Sequence, residues 1–175
     1  MRIHRITLRN YRGTTERTLE FFDGVTVIEG RNEVGKSTLV EALRHLRIHK
    51  ATTLRKEVRD TQPVGRDVGP EVEVELSTGE YRLTYCKQWL RGKRTELNIT
   101  APNPERLSGD DAHERFLQVV AETTDEGLFE ALEVLQGNSL GQASLARLPA
   151  LRRALDGAGP STGEHDALLE AVEKE

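Results

Sequence analysis

The chain has 175 residues, 36% of them hydrophobic and 31% charged, a balance that fits one soluble globular domain with a core of its own. A formal net charge of −4 excludes a global basic field for nucleic acid, so any such contact must come from a local patch. The single cysteine, Cys86, excludes an intrachain disulfide and a cysteine-built metal site, and it reads as a small buried residue.

Along the chain, Ile3, Ile6 and Leu8 mark a strand that ends at the turn signal Asn10-Tyr11-Arg12-Gly13. The N-terminal stretch lacks the apolar core of a signal peptide, and no run has the length of a membrane-spanning helix, so the cytoplasm is the expected location, with a nucleoid association compatible. Residues 17–22 predict a second strand, and Asp23-Gly24 a hairpin turn. Residues 25–28 form a short continuous apolar run, the mark of a buried strand. GRNEVGKS follows at residues 30–37, and then Leu39, Val40, Leu43 and Leu46 recur at helical spacing.

Residues 54–59 suggest a short helix, and Pro63, Gly65, Gly69 and Pro70 an exposed loop. Residues 71–100 predict an antiparallel meander with one face inward and one wet. Val72, Val74 and Leu76 alternate with glutamates, and Tyr81, Leu83 and Tyr85 alternate after a turn at residues 77–80. A third strand, residues 95–100, follows the basic turn Arg91-Gly92-Lys93-Arg94. Residues 102–109 read as a linker, with Ser108 or Asp110 capping a helix that carries Phe116, Val119 and Val120. A second helix starts near Asp125 and stops near Gln136-Gly137-Asn138. After a short helix at residues 149–155 and a break at residues 157–160, residues 164–175 start a charged helix. That helix ends without a cap or a turn, so the chain reads as cut rather than finished. No internal repeat is visible.

The chemistry concentrates at residues 30–38. Gly, four residues, then Gly-Lys-Ser is the pattern of a loop that wraps a phosphate with inward-pointing backbone N–H groups. Gly30 and Gly35 permit the backbone angles and the close approach. The helix that follows aims its N-terminal dipole at the same anion. Lys36 supplies a point charge for the β and γ phosphates, Ser37 a hydroxyl for Mg²⁺, and Thr38 a hydroxyl near the α phosphate. Arg31, Asn32, Glu33 and Val34 fill the loop; Arg31 and Asn32 are expected to act through backbone N–H groups. A carboxylate at Glu33 is compatible with phosphate only if its side chain turns outward. The pattern arises by chance in about one of 100 to 200 chains of this length. Its place between an apolar run and an amphipathic helix is the context that supports it.

IHRITLRNYRG followed by VTVIEGRNEVGKSTLVEAL resembles the N-terminal lobe of SMC-like ABC ATPase heads, the AAA-family P-loop ATPases of the SMC, SbcC, RecF and RecN type. The resemblance implies an α/β P-loop NTPase half-domain with an antiparallel side sheet at residues 71–100 and a helical segment at residues 110–135. It implies ATP and Mg²⁺ as cofactors. It places Gln136 in the Q-loop, reaching Mg²⁺ and the attacking water, with Gln142 as the nearby competitor and a solvated residue at a helix end as the plain alternative. Arg12 stands where the family's turn often carries a basic residue facing the nucleotide; an ordinary surface arginine is the equal alternative. The organisation implied is an ATPase lobe over residues 1–156, then a linker and the start of a coiled-coil helix over residues 157–175.

Hydrolysis in this family needs an apolar run ending in Asp-Glu, and the sequence contains neither that Walker B element nor a Leu-Ser-Gly-Gly signature. The expected partners are therefore a C-terminal lobe that carries both, on the same or a separate polypeptide, and a second head in an ATP-dependent dimer. DNA is the ligand expected of the full assembly, and no membrane is. The expected role is to couple ATP binding and hydrolysis to DNA repair or chromosome maintenance; a half-head that mainly docks its other half is the non-enzymatic reading. A self-contained P-loop kinase or small NTPase is the alternative, although the long meander suits it poorly and no Asn-Lys-x-Asp motif supports a GTPase. Lys87, Arg91, Lys93 and Arg94 cluster with Trp89 around one hairpin, either as a nucleic-acid track or, the favoured reading, as a solvated hairpin over a packed tryptophan. The five histidines are scattered in sequence, which does not suggest a metal cluster.

Overall fold

The computed structural model describes residues 1–24, 26–29 and 35–124; Gly30 to Val34 and Gln136 lie outside them, as do the expected second helix, the short helix and the C-terminal charged helix. The N-terminal alternation makes strand β1 (Arg2–Tyr11), which turns at Arg12-Gly13 into β2 (Thr14–Glu20). The helical spacing after the phosphate loop makes α1 (Lys36–Ile48), and a single turn, α2 (Lys56–Arg59), follows. The meander is β3 (Glu71–Thr78), β4 (Tyr81–Gln88) and β5 (Arg94–Ala101). The stretch read as a linker contains a fourth member, β6 (Glu105–Ser108), and α3 (Gly109–Thr123) follows it.

The six strands form one antiparallel sheet in the order β2-β1-β3-β4-β5-β6. Ile6 stands opposite Val74, Val74 opposite Tyr85, Tyr85 opposite Leu97, and Leu97 opposite Leu107. That row lies on one face, because side chains alternate along each strand. Both long helices cover this face. Leu39, Ala42 and Leu46 of α1 and Ala112, Phe116 and Val119 of α3 complete the core, with Phe116 stacked on Tyr85 at 4.0 Å between ring centroids. The result is a two-layer α/β unit.

The opposite face is polar. Glu71 is buried there between the guanidinium groups of Arg9 on β1 and Arg94 on β5, so its charge is compensated from both sides. Arg9 also reaches Glu16 at 3.1 Å. Cys86 lies on this face and is buried, as its size suggested, and burial pushes its thiol up to about 12.

Three expectations need correction. Residues 26–29 are not a strand, and Val27 and Ile28 are 71% and 40% exposed. An apolar run becomes a buried strand only where it pairs with a sheet, and residues 26–29 pair with none of the six strands. Asp23-Gly24 is accordingly a bend rather than a hairpin turn. Gly69 and Pro70, read as exposed, are buried. A Cβ on Gly69 would stand 2.0 Å from the carbonyl oxygen of Arg91, so only glycine lets this loop pass beneath the β4–β5 turn.

Candidate functional site

The described part of the phosphate loop is its last turn into α1. Gly35 is the N-cap, with φ 89° and ψ 25°. A Cβ is disfavoured in that left-handed region, so glycine is what lets the loop enter the helix here. Lys36, Ser37 and Thr38 form the first turn, Ser37 exposed and its two neighbours half-buried. That turn has no side-chain cap and no acidic residue. A helix N-terminus presents free N–H groups and a partial positive charge, and here the described residues place no carboxylate in the first turn. The donor set fits a phosphate anion, and the Ser37 hydroxyl fits a hard cation beside it.

Arg12 sits in the β1–β2 turn with φ 53°. Its guanidinium forks onto Glu41 of α1, Nε to Oε2 at 3.0 Å and Nη2 to Oε1 at 2.5 Å. The hydrogen bond to Glu41 raises the Arg12 pKa further above its ordinary value. The structure thus brings Arg12 to the helix that carries Lys36, but on Glu41 rather than open to a ligand. Beside it lies a pocket of ≈ 460 Å³ that Gln62 and Arg66 also line.

The far end of α1 holds residues to which sequence reasoning assigned no role there. Lys87 is fully buried on the core face. Its Nζ donates to the carbonyls of Leu46 and His49 at 2.8 and 2.7 Å and approaches His113 Nδ1 at 3.2 Å. Burial pushes Lys87 down to about 7 and His113 down to about 4. Tyr85 Oη lies 2.9 Å from the same His113 nitrogen. Lys87 stands opposite Val72 of β3, and this pairing puts it in the inward row although the sequence reading counted it with the basic hairpin.

This geometry decides the basic hairpin. Lys87 and Trp89 are buried, Arg91 is paired with Asp67 at 2.6 Å, and Arg94 is paired with Glu71. Burial takes Lys87 and Trp89 out of the nucleic-acid track read from the sequence, and the favoured reading, a hairpin over a packed tryptophan, fits the structure. The histidines are not all scattered either. His45 in the last turn of α1 and His49 at its C-cap are both buried, and Glu57 of α2 meets them. Among the described residues no helix is long and apolar enough to cross a membrane.

Comparison with known proteins follows the same lines. An uncharacterized protein of Mycobacterium tuberculosis is 44% identical over 180 residues, which takes in 100% of this chain and 21% of that protein. A Mycobacterium bovis protein matches equally well. The chain thus spans about a fifth of the length of these relatives. The DNA replication and repair protein RecF of Phocaeicola vulgatus is 26% identical over 152 residues, 75% of this chain and 41% of that protein. A solved structure of the recombination mediator RecF with ATP aligns with a TM-score of 0.42 and 17% identity over 91% of this chain and 47% of that one. The RecF relative agrees with the resemblance to the N-terminal lobe of an SMC- or RecF-like ATPase head. Residues 5–141 match the AAA domain family, a stretch that takes in the phosphate-loop pattern, α1 and the whole meander, and the chain belongs to that family.

Proposed function

We propose that this domain binds Mg²⁺-ATP and forms the N-terminal half of an ATPase head that acts in DNA repair or chromosome maintenance. The observation that carries the reading is the start of α1. A left-handed glycine leads into a first turn with no cap and no acidic residue, bearing Lys36, Ser37 and Thr38. In this reading the backbone of residues 30–35 wraps the phosphates and Lys36 neutralises their charge. Ser37 and Gln136 hold Mg²⁺, with Gln136 also orienting water. ATP supplies the phosphoryl group; the chain supplies position and charge.

Hydrolysis then requires a C-terminal lobe with Walker B residues and a second head with a signature motif. The exposed side chains of Val27 and Ile28, next to the phosphate loop, support a missing neighbour, because apolar side chains there gain by being covered. The relative named for DNA replication and repair supports the DNA pathway. An ATP held between two lobes switches their interface because it binds the closed form better than the open one.

The test is nucleotide titration and steady-state hydrolysis by the chain, beside Lys36→Ala. The expected result is Mg²⁺-dependent ATP binding without turnover, weakened in Lys36→Ala on the order of 10- to 100-fold, the value of a charge-assisted hydrogen bond. Equal binding by parent and variant rejects the phosphate loop. Lys36-dependent turnover by the chain alone rejects the half-site and favours a compact P-loop enzyme.

A further inference from the structure

His45 lies in the last turn of α1 and His49 is its C-cap, where the backbone turns extended (φ −103°, ψ 129°). The His49 N–H still donates to the His45 carbonyl at 3.0 Å, and the two imidazoles lie side by side with ring centroids 5.2 Å apart. Both rings are buried. Glu57, in the first turn of α2, approaches from the solvent side, its Oε1 3.0 Å from His49 Nε2. One ligand atom from each of the three residues lies within 4.8 Å of the others. Tyr11 Oη holds His45 Nδ1 at 2.9 Å, which leaves Nε2 as the open nitrogen of that ring.

We propose that His45, His49 and Glu57 form a binding site for one divalent cation of the Zn²⁺ class, tying the C-terminal end of α1 to α2. Two imidazoles and one carboxylate suit a borderline ion such as Zn²⁺ or Co²⁺ rather than Mg²⁺ or Ca²⁺, which prefer oxygen. Histidines at i and i+4 on one helix face are a recurring zinc-binding pair. The Tyr11 hydroxyl supplies the outer hydrogen bond that orients a ligating histidine. A tetrahedral ion with bonds of about 2.0–2.1 Å needs ligand atoms about 3.4 Å apart, so the spacings must adjust, and the half-exposed Glu57 has the freedom to move. Solvent on that side completes the coordination.

The groups facing the site are compatible with added positive charge. Glu57 contributes the negative charge and would exchange its present partners, the His49 ring and Arg55 at 3.7 Å, for the ion. Lys87 is the opposing charge, and its Nζ is held by the carbonyls of Leu46 and His49. The site lies at the opposite end of α1 from Lys36, so it is separate from the phosphate loop.

The test uses the 175-residue chain stripped of metal and free of nucleotide, titrated with Co²⁺ and then Zn²⁺. The expected result is visible absorption that saturates at one Co²⁺ and is displaced by one Zn²⁺. His49→Gln and Glu57→Gln should each weaken binding about tenfold or more, and Tyr11→Phe about 10- to 100-fold. The surface variant Glu80→Gln should not change it. Glu57 is on the exposed rim, so Glu57→Gln keeps the fold, checked by circular dichroism. Absence of saturable binding overturns the proposal. Binding that both His49→Gln and Glu57→Gln leave intact does the same, because the ion then sits elsewhere.

Discussion

At its C-terminal end α1 places the carbonyls of Leu46 and His49 on the buried amine of Lys87, at 2.8 and 2.7 Å. At its N-terminal end it has no side-chain cap and no acidic residue in the first turn. Both ends of a helix leave backbone groups without partners. Here the fold satisfies one end from the sheet, while the first turn at the other end carries no side-chain cap and no carboxylate, as the proposed phosphate site requires. The difference fits the proposed function, in which a rigid element is anchored at its base and offers its positive end to a phosphate.

The largest effect should come from the anchored end. Leu46 is 2% exposed in the core, so Leu46→Ala should cost about 2–5 kcal/mol of stability, read by denaturant unfolding. Affinity for ATP in the folded fraction should change little; a matched loss of both would mean the two ends are not independent.

Lys87→Met should cost about 1–3 kcal/mol, because two buried carbonyls lose their donor. It also carries a pH signature. Burial lowers Lys87 from 10.5 to about 7, so the unfolded chain binds the extra proton between those values and wild-type stability rises with pH there. The cost of holding Lys87 folded is fully present below pH 7. Thermal midpoints should therefore show the deficit of Lys87→Met widening as pH rises from about 7 to about 9, before the Cys86 thiol, shifted the opposite way, begins to count. A deficit that does not change with pH would mean that Lys87 is charged in the folded protein throughout.

The smallest effect, with the most pointed sign, concerns the open end. Ser37→Asp places a carboxylate in the first turn and should stabilise the fold by about 0.3–1 kcal/mol. The same carboxylate should repel phosphate, so ATP binding should fall while the melting temperature rises. A variant that is stabilised and still binds ATP as the parent does would remove the reason for the uncapped turn.

Much of this was readable residue by residue. The alternation of Val72, Val74 and Leu76 with glutamates made β3, and Leu39 and Leu46 at helical spacing made the inner face of α1. Local patterns suffice there because each residue's environment follows from the period of its own element. They failed at Val27 and Ile28, whose apolar character says nothing of whether a neighbouring strand is free. They also failed at Glu105 to Ser108, too short to show a period, whose strand exists because β5 offers an edge.

The amino-acid sequence alone carries the phosphate-loop pattern, the strand periods and the amphipathic face of α1, since these depend on neighbours within a few residues. Three-dimensional packing alone turned Lys87 from a basic surface residue into a buried donor, took Trp89 out of reach of nucleic acid, and set His45 and His49 beside Glu57. Each of those outcomes depends on a partner in another element, and no local pattern carries the desolvation of a charge or the meeting of two loops.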